Sequence, residues 1–131
     1  MSPLPRLKRR AEFLRIAGSG RKSVTPGLIL QVAPRPASTI AAETRVPELR
    51  VGFTASRKVG IAVERNRARR RLRAAVEQVM TLHAAPDHDY VLVARAATAR
   101  RPFTALKGDL ETALRQTGAY REGPNTGETQ G

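Results

Sequence analysis

Hydrophobic and polar positions along this chain follow two periods. In residues 27–32, Leu28, Leu30 and Val32 alternate with Ile29 and Gln31, a two-residue period that predicts a strand buried on its leucine side. Residues 49–56 repeat the pattern, with Val51, Phe53 and Ala55 set against Gly52, Thr54 and Ser56. Residues 90–95 form the clearest strand, and residues 22–25 predict a short edge strand that Pro26 keeps from extending. A 3.6-residue period governs the stretch that turns at Gly60 and runs to about Leu82. At about 100° per residue, Ile61, Ala68, Leu72, Ala75, Val76 and Val79 share one side, and Arg67, Arg70 and Arg71 point the other way. Leu7, Ala11, Leu14 and Ile16 predict a short first helix ended by Gly18-Ser19-Gly20. A last helix, capped near Thr104, buries Leu106, Leu110, Ala113 and Leu114.

These elements make a single-domain α/β sandwich in the order α-β-β-β-α-β-α, with one mostly antiparallel four-stranded sheet and three helices. The third and fourth strands are expected to be parallel neighbours joined by the long helix. Pro34, Pro36 and the mixed run to Pro47 predict a long irregular connection. The domain is expected over residues 1–117, and the glycine-rich, polar residues 118–131 predict a disordered tail.

Composition narrows the chemistry. With 131 residues and 4% aromatics, the core must be built from Val, Leu, Ile and Ala. There are no cysteines, which excludes disulfides, thiolate catalysis and Cys-ligated zinc and points to a reducing cytoplasm. No apolar run approaches a membrane span, and no signal-type apolar core follows the basic N-terminus. The formal net charge of +13 calls for a polyanionic partner. A membrane surface fits less well than nucleic acid, because the apolar side of the long helix carries Leu72, Val76 and Val79 and no Trp or Phe.

The charge concentrates in one place. Arg57, Lys58, Arg65, Arg67, Arg69, Arg70, Arg71 and Arg73 surround a single acid, Glu64, at the start of the long helix. The helix dipole disfavours cations there, and a bound anion would relieve the conflict. Arginine forks suit phosphate, whereas the bland alternative is a solvated basic face. Catalytic chemistry is missing by comparison. His83, His88, Asp87 and Asp89 match no zinc-ligand spacing, and the other carboxylates are too scattered to hold paired metal ions. No catalytic residue, metal site or protein-bound cofactor is therefore expected. Phe13, the one large aromatic of the first helix, reads from the sequence alone as a core anchor.

The residues Ser56-Arg57-Lys58-Val59-Gly60, then Ala62-Val63, Arg65-Asn66-Arg67, Arg69-Arg70 and Leu72-Arg73 resemble the signature of the protein component of bacterial ribonuclease P. Weaker similarity extends over residues 7–114. The resemblance implies a non-catalytic subunit of a ribonucleoprotein endonuclease, whose RNA subunit holds the magnesium ions and removes the 5′ leader of precursor tRNA. It implies that Arg57, Lys58, Arg65, Asn66, Arg67, Arg69, Arg70, Arg71 and Arg73 face the catalytic RNA. Phe13, with Ile29 and Gln31, would line a cleft for the single-stranded leader, where aromatic stacking holds bases without reading them. No obligate protein partner is implied. Crossovers between parallel strands are right-handed in about 98% of cases, but the resemblance implies a left-handed one. The chain departs from the family pattern at Ile61, where Asn is usual, and at Gln31 and Ala17, where aromatics are favoured. The place of Ile61 on the apolar side suggests that packing has replaced a polar contact. A ribosome-associated or general structured-RNA-binding protein would carry the same charge.

Overall fold

The computed structural model describes residues 6, 7, 9–34 and 49–121. Of the irregular connection expected over Pro34, Pro36 and the run to Pro47, all but Pro34 lies outside them, as do the last ten residues; Pro34 itself is the last residue of a strand. Four strands, β1 (Arg21–Val24), β2 (Leu28–Pro34), β3 (Arg50–Thr54) and β4 (His88–Ala94), form one sheet in the order β1-β2-β4-β3. Helices α1 (Arg10–Ser19), α2 (Ala62–His83) and α3 (Phe103–Gln116) complete the domain, with short 3-10 turns at Arg57–Val59 and Ala96–Ala99. β4 takes a central position because it is apolar on both faces: Tyr90, Val91 and Leu92 are all buried. β2 pairs with it antiparallel from Leu28↔Ala94 to Pro34↔His88, and β3 pairs parallel from Arg50↔Asp89 to Thr54↔Val93. β1 is the expected edge strand, running antiparallel to β2.

One face of the sheet carries the main core. Leu28, Leu30, Val32, Val51, Tyr90 and Leu92 pack against Leu72, Val76, Val79 and Met80 of α2 and Leu106, Leu110 and Leu114 of α3. The Tyr90 hydroxyl donates to the Ala85 carbonyl at 2.6 Å, and burial pushes its pKa above the ordinary value of 10.0.

Both ends of α3 differ from expectation. It starts at Phe103 behind Pro102, whose φ of −52° suits a helix entry, and Thr104 lies exposed within the first turn without capping it. At the other end Gly118 adopts φ 76°, and the Ala119 amide returns to the Leu114 carbonyl at 2.8 Å. That reversal carries the chain back onto the domain, so residues 118–121 are not part of a tail. Ala119 is fully buried, and the Ala85 and Arg121 amides donate to the Ala119 and His83 carbonyls at 2.9 and 2.6 Å.

Candidate nucleic-acid interface

The basic stretch begins where β3 ends. Ser56 accepts the Lys58 amide at 3.3 Å to open the 3-10 turn, and buried Val59 pins it. Gly60 follows at φ 147°, and Ile61, in extended conformation, is the N-cap of α2. Ile61 is therefore outside the helix, and the helical period does not extend to it. It is 68% exposed, with Val63 beside it at 71%, so the expectation that Ile61 packs into the core is wrong. The buried stripe starts at Ala68 and continues through Leu72, Ala75, Val76, Val79 and Met80.

The cations of this stretch divide into two sets. Arg65 donates to the Gly60 carbonyl at 2.9 Å, and Arg69 to the Asn66 side-chain oxygen at 2.9 Å, so both are held beside the helix start. Arg71, expected to point outward, instead turns to the flank of α2 and donates to the Arg101 carbonyl, with its Nε buried and unpaired. A backbone acceptor on the β4–α3 connection draws it there. Arg57, Lys58, Arg67 and Arg70 are exposed and Arg73 is half-buried; none has a carboxylate partner among the described residues. Glu64 does not neutralise them either, because it pairs with Arg100 at 3.2 Å. The outward side of α2 is thus an unopposed arginine surface around Asn66 at the positive end of the helix dipole, a geometry that attracts phosphate.

The other face of the sheet builds a second surface. Strand register places Ala33, Asp89 and Arg50 in one row, Gln31, Val91 and Gly52 in the next, and Ile29, Val93 and Thr54 in a third. α1 sits over the first row through charge. Arg50 grips fully buried Asp89 with two hydrogen bonds, Nε to Oδ1 at 2.9 Å and Nη2 to Oδ2 at 2.8 Å. Its Nη1 reaches Glu12 of α1 at 2.9 Å, and Arg15 of α1 pairs with Asp89 as well. The hydrogen bonds to Asp89 raise the Arg50 pKa against the opposing effect of burial. Between Glu12 and Arg15 on the same turn of α1, Phe13 lies over Gly52, where an added Cβ would stand 2.5 Å from the ring. Phe13 is half-buried beside Leu7, Ile16 and Val91, and the third row is left partly open.

Phe13, Ile29 and Gln31 therefore share one sheet face. Sequence reading did not find Gly52 or the Glu12–Arg50–Asp89–Arg15 clamp, whose members lie 38 and 74 positions apart in the chain. The strand expected over residues 90–95 left Asp89 in the preceding turn, whereas β4 begins at His88 and turns Asp89 inward. The histidines are occupied structurally. His83 stacks on Tyr120 with ring centroids 4.8 Å apart, and His88 Nδ1 lies 2.7 Å from the Pro86 carbonyl oxygen. Among the described residues no three His, Cys, Asp or Glu side chains gather to hold a metal ion, and no helix is long and apolar enough to cross a membrane.

Comparison with known proteins places this geometry in a family. The ribonuclease P family model matches residues 1–118. The ribonuclease P protein component of Paramagnetospirillum magneticum is 49% identical over 132 residues, covering 97% of this chain and 96% of that protein. That of Gluconacetobacter diazotrophicus is 49% identical over 113 residues, covering 86% and 90%. Among solved structures, the Staphylococcus aureus RNase P protein superposes with a TM-score of 0.70 at 22% identity, covering 88% of this chain and 97% of that one. The Thermotoga maritima protein gives 0.65 at 21% identity, covering 86% and 94%. With its arginine-rich helix set on the sheet as described and its length matched almost throughout, this chain belongs to the ribonuclease P protein family.

Proposed function

We propose that this chain is the protein subunit of the ribonuclease P ribonucleoprotein and that it works through two separate RNA-facing surfaces. The unopposed arginines of α2 bind the catalytic RNA, and the half-open sheet face beside Phe13 receives the single-stranded 5′ leader of precursor tRNA. The RNA subunit performs the phosphodiester cleavage with magnesium ions that it holds itself, and the protein contributes no catalytic group, protein-bound cofactor or obligate protein partner. Its place of work is the cytoplasm. The observation that carries this reading is the contrast between the two surfaces: one is charged and without carboxylate partners, the other apolar with a half-buried aromatic ring. Phosphate binding needs the first, and base stacking needs the second.

Reconstitution with the catalytic RNA and a leader-bearing precursor at low magnesium tests the assignment. Arg67→Ala is expected to weaken binding to the catalytic RNA and lower the salt slope by about 1. Phe13→Leu is expected to leave that affinity unchanged and to reduce the preference for precursor over mature tRNA, by about 1 to 3 kcal/mol if one base stacks there. If both variants impair the same step equally, the two-surface assignment is wrong. Recovery of ribosomal RNA, rather than one abundant structured RNA, with protein purified from cells would point to a general RNA-binding role.

A further inference from the structure

Glu64 is the only acid between residues 57 and 73, yet its carboxylate serves a residue outside that stretch. Arg100 Nη2 lies 3.2 Å from Glu64 Oε2, with side-chain exposures of 78% and 37%. Pairs this open to water contribute little to folding. The position is more telling. Glu64, Arg67 and Arg71 succeed one another at i, i+3 and i+7 along one side of α2. The connection that carries Arg100 is held along that side by the Arg71 bond to the Arg101 carbonyl and by packing of the Arg57–Val59 turn against Ala96–Ala99. Its basic neighbours are committed to the fold, Arg101 to Asp109 and Arg95 to the Thr25 carbonyl. Arg100 alone ends on an exposed carboxylate at the border of the arginine surface.

We propose that Arg100 is a further phosphate contact of the surface formed by α2, and that Glu64 is its internal competitor. In the free protein the carboxylate holds Arg100 against the first turn of α2. When RNA binds, a phosphate oxygen takes the place of the carboxylate. The guanidinium keeps a charge-assisted acceptor in both states, and the released carboxylate is open enough to rehydrate, so the exchange is cheap. Glu64 opposes the approach of the RNA, most strongly at low salt. This inference rests on the reading that α2 faces the catalytic RNA.

The test is a titration of the ribonuclease P RNA from the same genome with the wild-type protein, Arg100→Ala, Arg100→Lys, Glu64→Gln and the Glu64→Gln/Arg100→Ala double variant, across a salt series. Arg67→Ala serves as the reference. Arg100→Ala is expected to weaken binding roughly threefold to tenfold and lower the salt slope by about 1, and Arg100→Lys to restore the slope. Glu64→Gln is expected to tighten binding a few-fold at low salt and to lose most of that gain when Arg100 is absent. All variants should melt within a few degrees of the wild type, because the pair is exposed. If Arg100→Ala binds like the wild type while Arg67→Ala does not, Arg100 makes no contact and the proposal falls. If neither weakens binding, the assignment of α2 to the RNA falls with it. A Glu64→Gln gain that persists undiminished without Arg100 would show general repulsion by Glu64, and the competitor role would be wrong.

Discussion

Gly60 has two independent reasons to be glycine. Its φ of 147° lies where L side chains rarely go, and the Glu64 side chain fills the space that a Cβ would need. That backbone conformation swings the next residue out of the helix, which is why Ile61 ends in solvent and not on the buried stripe. Ile61→Asn should therefore leave the melting temperature almost unchanged, a difference within about 0.5 kcal/mol. A thermal melt showing a loss of several degrees would mean that the side chain is buried in solution. Exposed Ile61 and Val63 also place two apolar side chains beside the arginine surface.

At the scale of the element, α1 depends on charge as much as on apolar contact. Among the described side chains of the helix only Ile16 is fully buried, Leu14 is 57% exposed, and no side chain caps its start. Asp89 supplies the missing anchor by binding Arg15 of α1 and Arg50, which in turn binds Glu12 of α1. Buried ion pairs contribute little net stability against apolar replacements, but removing one partner strands the other. Asp89→Ala should cost about 3 kcal/mol, near the low end for a buried pair because Arg15 and Arg50 keep some access to water. The loss should be uneven. Hydrogen exchange is expected to show the amides of α1 opening well before those of β4. Uniform loss of protection would mean that Asp89 supports the whole sheet and does not serve as a clamp for α1.

For the whole molecule, the governing fact is an excess of 24 Lys and Arg over 11 Asp and Glu in 131 residues. Arg15, Arg50, Arg100 and Arg101 are tied to carboxylates, and what remains includes the five cations Arg57, Lys58, Arg67, Arg70 and Arg73, which have no such partner among the described residues. If each neutralises one phosphate, changing all five to Gln should make the salt slope of RNA binding shallower by roughly 3.5 to 4.5. The fold should survive, because the apolar side of α2 is untouched. A slope unchanged within error would place the RNA on another face.

Periodicity is a local property, so what depends on it was legible in the sequence alone: four strands, three helices, the buried stripe of α2 from Ala68 onward, the alternating faces of β2, and a basic surface at the start of the long helix. The family signature lies within one such segment, residues 56–73, and was legible for the same reason. Tertiary structure decided what depends on residues far apart in the chain. The Arg50–Asp89 grip, the Arg100–Glu64 pair, the turn of Arg71 toward the Arg101 carbonyl and the return of residues 118–121 onto α2 each join segments that no local pattern connects. Ile61 failed at a boundary, because a helical period holds only while the backbone is helical, and the entry into α2 is set by Gly60 and the packing of the preceding turn.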